Sequence, residues 1–411
     1  MLIMVQRVFV MVVVAMTSHL VVFAADPGPA GISYVLPNKA DGTSSAVIVG
    51  PNHLAHTAQL LPVDRQGHIV GVGDPTTQVQ RVFDNLSSAL AEVRSGLDRV
   101  VKINMAVADA QIVPEIRKAM AERFDGDVRP AFSLVVGRLA HADALVAMDA
   151  VAGTDIDIPG EQVKRASCPS LDSLPGSSQA AVLPAGPRVY VSGQAEQGEN
   201  LGEATRHTME SLRKTIAHLG LTDRHIVQLK AFLRPMSGVA EVEREVAKQF
   251  GNQAVPPLVF VEWNGPYPIE IELIASARPI EDKAGEAIEF ITPPDMSPSP
   301  VFSRVCKINC GNVVYLSGLY GATSEDSKKQ VEEIFETLSQ SLAKVGSDFR
   351  HLAKATYFVT DDEAAHNLDA LRPRYYDPHR PPAASKALVN GVGPKGKAVM
   401  MDMIAVVPLE Q

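Results

Sequence analysis

Apolar positions along this chain recur in two rhythms, one of helices and one of strands, and the whole pattern repeats three times. In the first pass Val79, Val82, Phe83, Leu86, Leu90 and Val93 fall at three- and four-residue spacing. That spacing places them on one stripe of a helix. Val331, Ile334, Phe335, Leu338, Leu342 and Val345 repeat the stripe in the third pass. Thr208, Met209, Leu212 and Ile216 give a thinner version in the second. A strand is predicted after each helix, over Val100 to Val107, Ile226 to Leu233 and Leu352 to Val359. A second helix follows over Val113 to Phe124, Val239 to Phe250 and Glu363 to Tyr375. Two strands close each unit, the last running over Ala144 to Val151, Ile269 to Ile274 and Val399 to Val406.

The spacing of the repeat is regular. Pro130, Pro256 and Pro382 stand 126 residues apart, and so do Val100, Ile226 and Leu352. Two anchors with one period point to internal duplication. Each unit opens on an apolar stretch ending in proline: Ile32 to Pro37, Val163 to Pro169, Ile288 to Pro293. Turn residues follow at Gly50-Pro51-Asn52, Gly186-Pro187-Arg188 and Gly311-Asn312, which predict a hairpin in each copy. A β-rich run then ends in Thr57-Ala58-Gln59, Ser192-Gly193-Gln194 or Ser317-Gly318-Leu319. The expected fold is α/β (α+β), a mixed sheet with two helices on one face, in three domains over 28–153, 160–280 and 285–408. Pro-, Gly- and Ser-rich linkers, Gly153 to Ser178 and Pro279 to Pro300, separate them.

Composition narrows the partners. The 411 residues are 46% hydrophobic and 21% charged, with a formal charge of −9. That acidity, with no basic stripe among aromatics, argues against nucleic acid. Residues 1–24 are expected to be a signal peptide. Arg7 precedes an apolar run from Val8 to Phe23, and Val22-Phe23-Ala24 offers a cleavage site. An uncleaved anchor is the alternative, although Thr17, Ser18 and His19 interrupt the run. The expected protein is exported, to the periplasm or the medium, and free of the membrane once cleaved. Cys168, Cys306 and Cys310 are odd in number, so at least one is unpaired. Along a straight strand the last two would stand ~13 Å apart, too far to bridge. A turn at Cys310 leaves that bond open, with buried thiols as the alternative. Gly391 to Lys397 imitates a phosphate loop, but Ala398 stands where Ser or Thr is needed and a strand follows. No metal or cofactor is expected.

Four segments resemble the RidA (YjgF) family of imine deaminases, once labelled endoribonuclease L-PSP. Ser192-Gly193-Gln194 is similar to that family's S-G-Q element. Leu60-Leu61-Pro62-Val63-Asp64, with Gly67-His68-Ile69-Val70, is similar to the segment after it. Pro130-Ala131-Phe132-Ser133 is similar to P-A-R-S, and Ile269 to Ala275 is similar to the closing I-E-I-E-A-I-A strand. The resemblance implies a chorismate-mutase-like domain and ligand pockets where three such domains meet. Three copies in one chain then suggest an intramolecular pseudo-trimer, a monomer with small-molecule clefts between its domains. Separate beads, or pairing between chains, are the alternatives.

The resemblance also implies where chemistry belongs. An arginine after P-A would grip a substrate carboxylate through two charge-assisted hydrogen bonds. Phe132, Leu258 and Ala384 stand at those positions. A glutamate on the last strand would place or activate water; Glu270 carries it, while Ala147 and Met400 replace it elsewhere. Ser192, Gly193 and Gln194 are candidate pocket residues. Lys386, two residues past Ala384 on the same side of a strand, and Arg304 are candidate substitute cations, or else solvated surface charges. The expectation is an imine or enamine hydrolase with weak or lost standard activity. The alternative is a binding or scaffold protein without catalysis.

Overall fold

In the computed structural model, which describes residues 31–278, 286–322 and 326–409, each copy runs strand–strand–strand–helix–strand–helix–strand–strand, with one additional short strand before the first helix of the third. The first copy comprises β1 (Ile32–Asn38), β2 (Thr43–Val49), β3 (Leu54–Thr57), α1 (Pro75–Ala91), β4 (Val100–Val107), α2 (Val113–Arg123), β5 (Ala131–Val136) and β6 (Val146–Gly153). The second comprises β7 (Lys164–Ala166), β8 (Ala180–Leu183), β9 (Arg188–Gln194), α3 (Leu201–His218), β10 (Ile226–Leu233), α4 (Val239–Phe250), β11 (Leu258–Glu262) and β12 (Ile269–Ser276). The third comprises β13 (Ile288–Ile291), β14 (Val305–Ile308), β15 (Asn312–Leu316), a two-residue β16 (Leu319–Tyr320), α5 (Ser327–Lys344), β17 (Leu352–Val359), α6 (Asp362–Leu371), β18 (Ala383–Leu388) and β19 (Val399–Val407). The expected signal peptide and its cleavage site lie outside the described residues. No helix among the described residues is long and apolar enough to cross a membrane.

The helical stripes are buried as their spacing requires. Val79, Val82, Phe83, Leu86 and Leu90 of α1 enter the first core, and Val331, Ile334, Phe335, Leu338 and Leu342 of α5 enter the third. Side-chain caps fix where these helices start. Asp74 accepts from the amide of Thr77, and Asn200 and Asp326 cap α3 and α5 in the same way. Each helix pair covers one face of a mixed sheet, and one strand pair per sheet is parallel: β4/β5, β10/β11 and β17/β18.

The strand partners depart from expectation. The orders are β5-β4-β6-β3-β8-β7, β11-β10-β12-β9-β14-β13 and β1-β2-β15-β19-β17-β18, with β16 on β19. The glycine turns at 50, 186 and 311 therefore do not close hairpins. The strands on either side of each turn join different sheets. β8 pairs with β3 of the first copy, β14 with β9 of the second, and β2 with β15 of the third. Each copy thus lends its first two strands to another, and the loan closes in a ring. A turn residue dictates a local change of direction, whereas the strand's partner is set by distant free edges.

The second faces of the three sheets meet in a shared apolar core. Val47, Leu54, Val101, Tyr190, Val227, Ile308, Tyr315, Ala353 and Val406 all contribute. Beside it lies a buried charged network with members from every copy. Lys102 donates to Ser133 Oγ and Leu316 O, both at 2.7 Å, and to Asp402 at 3.0 Å. Lys354 donates to Glu272 at 2.8 Å, and Asn104 to Asp149 at 2.8 Å. Among the described residues the three cysteines are free thiols, with Cys168 and Cys306 buried.

Candidate functional site

Three clefts form where the S-G-Q-like segment of one copy meets the P-A segment of another. Between the third and first copies, Gly318 N donates to Phe132 O at 2.9 Å, and Ser317 Oγ accepts from Phe132 N at 2.8 Å. Between the first and second, Gln59 N donates to Leu258 O at 2.8 Å. Between the second and third, Ser192 Oγ accepts from Ala384 N and donates to Ser303 O, each at 2.6 Å. Ser192 is therefore consumed as a staple between copies.

The cleft between the second and third copies is open. It holds a cavity of about 500 Å³ walled by Gly193, Trp263, Glu270, Phe302, Arg372 and Lys386, with Ala384 and Ser385 beside them. β12 brings Glu270 to it, and Gly193 makes room. A Cβ on Gly193 would lie 2.0 Å from Glu270 Oε1. Burial pushes the Glu270 carboxyl up to about 7, and the neighbouring Glu272 charge pushes the same way. Glu272, two residues along the same face, behaves oppositely. Burial disfavours its charge, but Lys354 and Lys230 outweigh that and hold it below its usual range. Ser385 Oγ adds a hydrogen bond to Glu272 at 2.7 Å. The surroundings thus shift two adjacent carboxyl groups in opposite directions.

Of the residues singled out from sequence, Gly193, Glu270, Ala384 and Lys386 meet in this cavity. Gln194 does not, since its amide donates to Thr215 at 2.7 Å inside the second copy. Arg304 stands off the cavity, its guanidinium 4.9 Å from the ring of Phe302 and its Nε donating to Ser297 O at 3.1 Å. Arg372 and Trp263 were not legible as site residues. Arg372 follows the second helix of its copy, where no spacing marks it, and only the fold brings it to the wall of a cavity that Glu270 of another copy also lines.

The other two clefts differ. Between the third and first copies, the Phe132 side chain is buried in the core of the first copy, with the Arg117 guanidinium 4.8 Å from its ring centre. Met400 takes the place of Glu270 there and is fully buried. The cleft between the first and second copies keeps a cavity of about 490 Å³, lined by Leu258 with Gln59, His141, Asp172 and Glu243, but Ala147 supplies no carboxylate. No cluster of three or more His, Cys, Asp or Glu suited to a metal occurs among the described residues.

The model of the family described as Endoribonuclease L-PSP matches residues 37–154 and 295–407, more than half of the chain. Protein DfrA of Myxococcus xanthus is 32% identical over 121 residues, 27% of this chain and 91% of that protein. The 3-aminoacrylate deaminase RutC of Acinetobacter baylyi is 28% identical over 101 residues, 25% of this chain and 79% of that protein. Among solved structures, a Rid-family protein of unknown function from Yersinia pestis is 24% identical, with a TM-score of 0.28, covering 30% of this chain and 98% of its own.

Proposed function

Since the chain belongs to the endoribonuclease L-PSP family, to which the RidA and YjgF proteins also belong, we propose that its cleft between the second and third copies is a hydrolytic site of the imine-deaminase type, with Glu270 as the proton carrier. One observation carries this reading: a carboxyl poised near neutrality faces a cavity large enough for a small metabolite, beside two cations. A group with such a pKa is present in both forms at pH 7 and serves as acid and base in turn.

The proposed reaction balances without a cofactor. Ionised Glu270 takes a proton from water as the water oxygen bonds to the carbon of a protonated imine. The C=N bond becomes a single bond, giving an aminoalcohol. Protonated Glu270 then gives its proton to nitrogen, the C–N bond breaks, and ammonia leaves as the hydroxyl becomes a carbonyl. The hydroxyl proton returns through Glu270 to the ammonia. The sum is protonated imine plus water to carbonyl plus ammonium.

The absence of arginine at Phe132, Leu258 and Ala384 supports weak turnover of ordinary imino acids, because no bidentate fork stands at those positions. The decisive assay follows ammonia release from a freshly generated imine. Wild type should exceed the buffer rate, and Glu270→Gln should fall back to it. Equal rates in both proteins would remove Glu270 from the reaction. A second reading, binding without turnover, draws support from the other two clefts, where Ala147 and Met400 stand in place of the glutamate. It is correct if wild type matches buffer while small carbonyl compounds raise its melting temperature.

The ring of exchanged strands supports a monomeric pseudo-trimer. Sedimentation should return the mass of one chain. The apolar run before Ala24 supports export, and mass spectrometry of the secreted protein should show a start at Ala25.

A further inference from the structure

Glu270 and Glu272 belong to the second copy, but the hydroxyl that serves both comes from the third. Ser385 of β18 is buried and lines the cavity with Glu270. Its Oγ donates to Glu272 Oε2 at 2.7 Å and accepts from Gly193 N at 3.2 Å. The same hydroxyl stands within hydrogen-bonding reach of Glu270, where it favours the charged form. A serine has one proton to give, so at any moment it serves Glu272 or Glu270. Beyond Glu272, Lys354 Nζ donates to Oε1 at 2.8 Å. A line of hydrogen bonds thus runs from the central network to the cleft. Of the three clefts, this one alone has the line complete. Positions 133, 259 and 385 follow the 126-residue repeat. In the cleft between the third and first copies, Ser133 accepts from Lys102, but Met400 stands at the glutamate's position. In the cleft between the first and second, Val259 replaces the serine and Ala147 the glutamate.

We infer that Ser385 is a positioning residue for Glu270, turning its one proton from Glu272 to Glu270 as Glu270 ionises. This rests on the reading of the cleft given above. The hydroxyl lies on Glu272 in this structure. Rotation about the Cβ–Oγ bond carries it to ionised Glu270, and Lys354 then holds the Glu272 charge. The exchange needs no heavy atom to move. It lowers the cost of a buried charge on Glu270, so its acid and base forms stay close in free energy. The other charged groups acting on Glu270 are Glu272 of its own strand, Lys354 of β17 and Lys386 of β18. Tyr267 before β12, Asp362 of α6 and Arg372 after α6 line the same cavity.

The proton on Glu270 is followed without turnover, by the NMR shift of its carboxyl carbon in glutamate-labelled protein, assigned by its loss in Glu270→Gln. Ser385→Ala should raise the Glu270 midpoint by about one pH unit, the size of one hydrogen bond to a charged group. Ser385→Cys keeps a weaker donor in nearly the same volume and should raise it by less. Ser133→Ala, the same change in a cleft without the glutamate, should leave it in place. The acid limb of ammonia release should move with the midpoint. The inference is overturned if both Ser385 variants titrate at the wild-type value, or if Ser133→Ala raises the midpoint equally. The two readings fail separately. A raised midpoint in Ser385→Ala, with wild type releasing ammonia no faster than buffer, would keep the serine's role and reject the hydrolytic site. Glu270-dependent ammonia release with an unmoved midpoint would do the reverse.

Discussion

Glu270 and Glu272 lie on one strand and one face, yet their surroundings drive their carboxyl groups in opposite directions. The consequence for stability has a definite sign. Glu270 has a folded-state pKa of about 7 against an ordinary 4.5. Its stabilising contribution is complete below 4.5 and is lost as pH rises through 7, because the unfolded chain releases that proton first. Glu270→Gln should therefore gain stability over wild type between pH 5 and pH 8, read as the difference in urea midpoint. Gly193→Ala should push the Glu270 carboxyl aside and cut ammonia release at least tenfold with little loss of stability, since the clash is with the flexible end of a side chain. Lys354→Met would leave Glu272 charged and buried without its closest cation. A loss of about 3–5 kcal/mol in chemical denaturation is expected for breaking such a pair. At this scale the sequence was partly legible. Glu270 stands in a recognisable strand pattern, and Lys386 follows from alternation along β18. Arg372 was hidden because nothing in its local spacing states that its turn faces another copy.

Elements were legible wherever the pattern is local. The strands over Val100 to Val107, Ile226 to Leu233 and Leu352 to Val359 have the bounds that alternation and the repeat give them. The second helix of the middle copy runs from Val239 to Phe250 as its stripe predicts. Two strands were expected before each first helix; three are present in the first two copies and four in the third. Of the additional ones, β8 and β14 are four residues long and too short to announce a period, while β2 is seven residues long. Pairing was not legible at all, because the partner of β8 lies more than a hundred residues away in β3. That exchange is testable. A single engineered cut between β6 and β7 should leave the two pieces associated in gel filtration, held through β3/β8 and β2/β15, and parting only in denaturant. Pieces that separate in plain buffer would contradict the ring of exchanged strands.

At the scale of the whole molecule, joining three copies in one chain frees their clefts from being identical. In a symmetric trimer every interface must serve the same role. Here one cleft keeps a glutamate and two cations, one has the buried Met400 at the glutamate's position, and one is open with Ala147 there. The scaffold shared by all three is the common apolar core and the network of Lys102, Lys354, Asp149, Glu272 and Asp402. Divergence at the clefts costs that scaffold little, because the diverged residues lie outside the network. The central claim is that one cleft of three is the working site, and a crystal soaked with pyruvate tests it most directly. Electron density for one molecule beside Glu270, with the other two clefts empty, is the predicted result. Pyruvate in either of the other clefts, or none beside Glu270, would contradict it.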